Sequence, residues 1–545
     1  MNSPAKILRQ IKRRVQSVTY GNPLYRLVLD QGEVAQKIGL SLPDLWPGDA
    51  QAGQMLIARQ GSLLDPLEGV FADQETPCCH LLTQEALRDL RAVGTERARQ
   101  RAVVLIQEWM EDLSAWDEES WSPPVLGARL SNWIAFYDFF SPCARPAFTR
   151  DFLICATRQL RHLLLTAQSG FTGVEGLYVV KGLIFGGLAL VDRERALSLG
   201  FELLERQLTA EILPDGGHVA RNPSVHAHML RLLIDMRDAL QVAGLEVPSA
   251  MTLAITRMLP VLKFFRHGDG SLALFHGSCE ERALLLDATV SLARMRTRLI
   301  KRLPYMGYER VVAGRSLLVV DVGAPPLRPF DKEAHAGLMG FEFSVGREKI
   351  ITNCGAAPHH KPHWWSALRA TAAHSTITVC DKNACALLPE GGIAQRPLRV
   401  STLRYEQDQK AYVDCAHDGY AQRHHVTVAR SLRLSASGDQ LEGEDLIEGV
   451  QGQEFSIRWH LHPAVRAMLS QDGGSVLLRT ASGSGWRLRL CPPFHESPAL
   501  EPSVYCADGR LVRTLQVRIS GFSGSGTTRV QWVLSREGSK DKKGA

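Results

Sequence analysis

Apolar residues follow two different periods along the chain. From about Leu82 to Leu299 they repeat at helical spacing. Phe152, Ala156, Leu160, Leu163 and Leu164 share one face, and Leu197, Phe201, Leu204 and Leu208 share another. Tyr178 to Leu190 is apolar almost all round, which predicts a helix covered on both sides. Further helices are predicted near Gln84–Met110, Gly127–Phe140, Val225–Leu240, Met251–Phe265 and Glu281–Leu299, about eight in all. They are separated by breaks such as Pro123-Pro124, Gly170 and Pro214-Asp215-Gly216-Gly217. From about Gly307 the period falls to two. Met339, Phe341, Phe343 and Val345 alternate with smaller or polar residues, and so do Val530, Trp532 and Leu534. Many helices that must bury their stripes against one another, followed by many short strands, predict a helical bundle or α/α toroid and then an antiparallel β-sandwich.

The predicted organisation is an N-terminal extension over 1–80 packing on the toroid, the toroid over 81–303, the sandwich over 304–537 and a disordered tail over 538–545. Hydrophobic residues make up 45% and charged residues 22%, which excludes wholesale disorder. The net charge of +6 is small for 545 residues and shows no concentrated basic face, so nucleic acid is not an expected partner. No apolar stretch is long enough to span a membrane. The start is basic (Lys6, Arg9, Lys12, Arg13, Arg14) but no apolar run follows it, so no standard secretion signal is predicted. The expected location is the cytoplasm, with the periplasm by a non-standard route as the alternative. The 11 cysteines are scattered without metal-type spacing, as expected of free thiols.

Three segments carry candidate chemistry. In Asp215-Gly-Gly-His218-Val-Ala-Arg221-Asn222-Pro-Ser-Val225-His226, a turn leads into a helix and gathers His218, Arg221 and His226 at its mouth. Arginine can grip a carboxylate with two parallel hydrogen bonds, and histidine can move a proton near neutral pH. The plainer alternative is a helix-entry loop with a satisfied histidine. His335, Asn353 and His374 each sit near the start or end of an alternating strand. Two imidazoles and an oxygen suit zinc, but asparagine is a poor third ligand, so a hydrogen-bonded knot is preferred over an ion. Trp364-Trp365 lie in a polar loop where flat rings could stack on sugars. Trp133 and Tyr137 recur at helical spacing, which favours core packing.

The order of elements and the motifs together resemble the heparinase II/III-like proteins, a group of polysaccharide lyases. The motifs are His335-Ala-Gly…Phe341-Glu-Phe…Gly346…Ile351-Thr-Asn-Cys-Gly355…Thr371-Ala-Ala-His374-Ser-Thr, then Arg430-Ser-Leu-Arg-Leu…Asp445 and Arg458-Trp-His460-Leu-His462-Pro. The resemblance covers most of the chain. It implies an incomplete α/α toroid followed by an antiparallel β-sandwich, and β-elimination on a uronic-acid-containing polysaccharide of the bacterial envelope. In that reaction the carboxylate is neutralised, a base removes the C5 proton and an acid protonates the departing O4.

On this resemblance His218 or His226 would be the base, and Tyr137 or Tyr178 the acid. Arg221, Arg129 or Asn132 would hold the carboxylate. Tyr137, Asn222, Trp364, Trp365 and Arg369 would complete the substrate contacts. No cofactor is required, and His335, Asn353 and His374 would be the place for a structural divalent ion such as zinc. The sequence also departs from the family pattern. Val225 stands where the family tyrosine is expected, Glu175-Gly176 where an Asn-His pair is expected, Glu333 where a first histidine is expected and Asn353 where a metal-binding aspartate is expected. Three readings follow. They are a divergent lyase, placed first, a non-catalytic acidic-glycan-binding or polysaccharide-biosynthesis-associated protein, and a hydrolase using Asp215, Asp269 or Glu175. The last needs two acids about 6.5–9.5 Å apart across a cleft.

Overall fold

The computed structural model describes residues 15–42, 44–59, 85–168, 170–407, 410–492 and 497–538. The basic start (1–14), Cys78-Cys79 and residues 539–545 of the predicted tail lie outside them. By its own contacts the chain divides into two compact units. One comprises 1–211, 228–255 and 291–293, and the other comprises 212–227, 256–290 and 294–545. Two stretches of the helical half, 212–227 and 256–290, therefore belong with the sheets.

The first unit contains the helices of the α/α toroid. Pro146–Thr166, Gly173–Ala189 and Arg193–Glu211 are its long members. Gly173–Ala189 is buried on nearly every side, as an apolar pattern almost all round predicts. The single helix predicted over Gln84–Met110 is instead two, Ala86–Val93 and Glu96–Asp112. Gly94 ends the first in the left-handed region at φ 71°, and the Thr95 side chain caps the second by accepting from the Ala98 N–H. Gly127–Phe140 likewise divides at Phe136 into Pro123–Ala135 and Tyr137–Phe140. Glu281–Leu299 shrinks to Ala283–Leu292.

The second unit is an antiparallel sandwich. One sheet runs from Arg302–Leu303 through Tyr308–Ala313, Ser316–Asp321, Phe341–Val345, Glu348–Thr352, Glu454–Leu461 and Leu511–Phe522 to Ala499–Cys506, with Ile377–Val379 also paired to Glu454–Leu461. The other runs from Arg466–Leu469 through Ser475–Arg479, Gly485–Cys491, Gly526–Arg536, Gln440–Gly449, Val426–Leu434 and Lys410–His417 to Val400–Gln407. Alternation along each strand sends one apolar set inward, and the two sets meet in a single core. Phe341 stacks on Trp532, Trp459 meets the same indole edge-on, and Phe343 meets Trp486. At the centre lies a fully buried ion pair. Arg430 Nε donates to Asp445 at 2.6 Å, while its NH1 donates to the carbonyls of Ser375 (2.7 Å) and Met339 (3.1 Å). The Arg430…Asp445 motif is therefore a structural pin between strands.

Candidate functional site

The helix-entry loop is built as a rigid turn. Asp215 accepts from the backbone N–H groups of Gly217 (3.1 Å), Tyr305 (2.8 Å) and Met306 (2.9 Å), so its carboxylate serves the turn. The two glycines that follow lie against Arg257 and Met306. Asn222 caps the helix Pro223–Val242 by accepting from Ser224 N (2.8 Å) and Val225 N (3.1 Å), and its amide donates to the His276 carbonyl.

Arg221 sits at φ 57°, an uncommon conformation for a residue with a side chain. Its guanidinium donates to the carbonyls of Met306 (2.6 Å), Gly307 (2.9 Å), Gly323 (3.2 Å) and Ala324 (2.8 Å), and pairs with Asp321. The Tyr308 ring lies 4.8 Å beneath it, and the Tyr308 hydroxyl donates back to the Arg221 carbonyl. Burial opposes the charge on Arg221, but the Asp321 carboxylate outweighs it and raises the pKa. Burial likewise opposes the charge on Asp321, and Arg221 and His276 reverse that effect, so its pKa is lowered.

His276 and His335 extend this cluster. His276 Nδ1 accepts from the His335 backbone N–H at 3.2 Å, so the proton is on Nε2 and donates to Asp321 at 3.0 Å. His374 Nδ1 donates to the Ala370 carbonyl at 2.8 Å, which leaves its Nε2 to accept from His335 Nδ1 at 3.0 Å. Burial holds the His335 pKa well below its ordinary value and brings His374 down to about 4. Gly337 lies flat against the His374 ring, where a Cβ would have no room.

At His335, Asn353 and His374 the sequence favours a hydrogen-bonded knot, with a structural ion such as zinc as the lesser alternative. Both ends of the Asn353 amide are committed, the oxygen to Ser375 N (3.1 Å) and the nitrogen to the Leu274 carbonyl (3.2 Å). The two imidazoles share a proton between them. Among the described residues no group of three or more His, Cys, Asp or Glu is arranged to hold a metal. The three side chains are bonded to one another and to the backbone around them.

His218, Arg221, His226 and His335 are each no more than 4% exposed. His226 Nε2 donates to the Met258 carbonyl at 2.9 Å, and burial lowers its pKa to about 4. His218 Nδ1 accepts from the Ala220 N–H, and its ring stands edge-on to Phe330. These groups are therefore close in the fold but face packed protein. Trp365 is also buried. Its indole nitrogen donates to Glu333 at 2.9 Å, and Arg369 lies over its ring while donating to the carbonyls of Ala334, Leu388 and Gly392. Trp364 packs half-buried against a small cluster around Leu368.

The remaining predicted contacts belong to the first unit. Arg129 is buried over the Trp109 ring at 3.9 Å, donates to Gln159 and Ser120, and is brought down to about 9 by burial. Asn132 is buried, and Tyr137 packs against Phe140 and Phe152. Tyr178 has a polar setting: its hydroxyl donates to Glu85 at 2.8 Å and accepts from His228 Nε2 at 2.9 Å. Burial and the Glu85 charge raise its pKa well above the ordinary phenol value, so it keeps its proton. Burial brings His228 down to about 3. Of the acids in the hydrolase reading, Asp269 is held by Ser271 and Lys349, and Glu175 is exposed.

Sequence reasoning missed Asp321, His276 and Tyr308. No spacing marks them, although Asp321 ends a strand buried at every position with a charge where an apolar residue would be expected.

Residues 295–533 match the model of the heparinase II/III-like C-terminal domain. FtsZ-localized protein C of Caulobacter vibrioides is 32% identical over 478 residues, covering 83% of this chain and 80% of that protein. The chain belongs to the heparinase II/III-like family. Among solved structures, heparinase III superposes with a TM-score of 0.72 at 14% identity, covering 98% of this chain and 92% of that one. A heparan sulfate lyase from Pedobacter heparinus gives 0.66 at 13% identity, with 94% and 87% covered. At these identities the likeness is one of fold: toroid helices followed by the sandwich. Within that family fold, this member fills the helix-entry loop with buried, mutually bonded side chains.

Proposed function

We propose that this chain is a non-catalytic member of the heparinase II/III-like family. In this reading it is an acidic-glycan-binding protein on the lyase fold that works in the company of FtsZ. The observation that carries the reading is His226. The group best placed by sequence to take a C5 proton donates its Nε2 proton to a backbone carbonyl and is sealed from solvent. A general base must reach the proton it removes. Arg221, the candidate grip on a uronate carboxylate, directs its donors to main-chain carbonyls and Asp321. The setting is supported by the 32%-identical relative, whose name records localisation with FtsZ. It also favours the cytoplasm, where thiols such as the nine free cysteines of the described residues persist. In this reading no zinc is held at His335, Asn353 and His374, so elemental analysis is expected to find none.

The test pairs two measurements on the purified chain. Incubation with alginate, glucuronan and glycosaminoglycans is expected to give no ultraviolet absorbance from unsaturated uronate, while polymer binding without shortening is expected by affinity electrophoresis. Any unsaturated product would overturn the non-catalytic reading. Co-sedimentation with purified FtsZ is expected, and its absence would remove that partner. A second reading, β-elimination, draws on Tyr178. Its protonated phenol between Glu85 and His228 is the one candidate acid in a polar setting. The same absorbance assay decides between the two.

A further inference from the structure

By the order of their strands, the two large sheets end in four edge strands, and three of these are guarded against a further strand. Arg302–Leu303 and Arg466–Leu469 are short, at two and four residues. Ala499–Cys506 carries Pro502, which offers no N–H. Its last residue is also bonded to the segment 354–356, through Cys506 N to the Cys354 carbonyl (2.7 Å) and Ala356 N to the Cys506 carbonyl (3.1 Å). The fourth edge, Val400–Gln407, is eight residues long and has neither proline nor glycine. It pairs with Lys410–His417 on one side, and no described strand takes its other side. Arg404 fixes it from the inner face by donating to the carbonyls of Lys301 and Arg310, each at 2.8 Å.

The ladder decides which backbone groups turn outward. Asp418 N donates to the Arg399 carbonyl, in line with the register that pairs His417 with Val400. Hydrogen-bonded pairs alternate along an antiparallel ladder, so Ser401, Leu403, Tyr405 and Gln407 bond to the neighbouring strand. The N–H and C=O groups of Val400, Thr402, Arg404 and Glu406 point the other way, where no described backbone group meets them. An edge of this kind accepts another strand.

The side chains beside the edge select a second copy of this chain. On the solvent side of the sheet, Tyr405 stacks on Tyr412 with centroids 4.6 Å apart, and Leu403 and Tyr405 are 60% and 38% exposed. Further along the same side, Ser401, Ala416 and Ala429 form a row of small residues. They line a hollow of about 180 Å3 bordered by Arg399, Thr427 and Glu448. One strand thus offers both a bulky row and a small one. Laid antiparallel to itself about a two-fold axis through Leu403, it sets Tyr405 opposite the partner's Ser401, so each pair of rings meets a hollow. The two leucines meet on the axis. The same register sets Thr402 opposite the partner's Arg404 and Val400 opposite the partner's Glu406. All four outward residues then find backbone partners, and no like charges face each other.

We infer that this protein forms a two-fold dimer by pairing Val400–Gln407 with the same strand of a second copy, in the register that puts Leu403 on the axis. The inference goes beyond the binding function proposed above and does not depend on it.

The test is sedimentation velocity of the full chain across the micromolar range, where a concentration-dependent shift from one chain mass to two is expected. Thr402→Pro removes an outward N–H without touching the bonds to Lys410–His417, and Leu403→Lys sets two like charges together on the axis. Each is expected to weaken dimerisation about tenfold with an unchanged thermal melt. Leu403→Lys provides the same test should proline disturb the strand. The register is read by mild oxidation, in which Leu403→Cys is expected to link chain to chain faster than Tyr405→Cys or the unaltered protein. A single-chain mass at every concentration would overturn the inference. So would a dimer untouched by Leu403→Lys, and preferential linking of Tyr405→Cys would overturn the axis through Leu403.

Discussion

In the first unit, three clusters of buried polar groups pair side chain with side chain. Lys181 meets Asp235 at 2.6 Å, Arg88 and Arg91 hold Asp44, and Tyr178 bridges Glu85 and His228. In the second, Arg221 holds four main-chain carbonyls and one carboxylate, and the imidazoles around it bond to backbone groups or to one another. The first arrangement is a set of separable pairs. The second ties together stretches of backbone distant in sequence, from 221 to 306, 323 and 335. Arg221, whose donors serve main-chain carbonyls, His276 and Asp321, has none left for a ligand.

Arg221→Met should break the contrast most strongly, because it leaves Asp321 charged and uncompensated and frees four carbonyls. A loss of about 3–5 kcal/mol is expected in urea unfolding. Lys181→Met should cost about 3 kcal/mol by the same logic, but the effect should be confined to one pair. Adding Asp235→Asn should therefore recover much of it, whereas no single second change should rescue Arg221→Met. Equal rescue in both would remove the distinction.

Acid sharpens the comparison. Folded-state pKa values of about 4 for His226, His374 and His417 and about 3 for His460 stand against about 4 for His162 and about 3 for His228. All lie below the ordinary value of 6.5, so the unfolded chain binds more protons. Their stability is complete above pH 6.5 and is lost as pH falls toward 4, by about 1 kcal/mol per histidine at pH 5.5. With four such groups against two, the second unit should lose amide protection before the first when hydrogen exchange is followed from pH 7.5 downward. Tyr178→Phe should have the smallest effect, about 1 kcal/mol in thermal or urea unfolding, because Glu85 and His228 remain to meet each other or water.

Much of the fold is legible in the sequence because it rests on period. Tyr178 to Leu190 reads as a doubly covered helix, and the change to alternation near Gly307 marks the sheets. Missed helix breaks occur where a local signal is slight, as at Gly94-Thr95. The candidate site is less legible. A histidine next to a helix start reads the same whether its ring faces a cleft or a carbonyl, and the partners that decide this for His226 and Arg221 are main-chain oxygens, which carry no letter. Asp321 and His276 escape for the same reason. The loss of family groups at Val225 and Asn353 is visible in the sequence, and it points the same way as the geometry.

The fit of Gly337 against the His374 ring has a consequence for inheritance. Every missense change in that codon introduces a carbon where the imidazole already lies. While the ring stays, position 337 is closed to any side chain, so glycine must be in place before the imidazole can be.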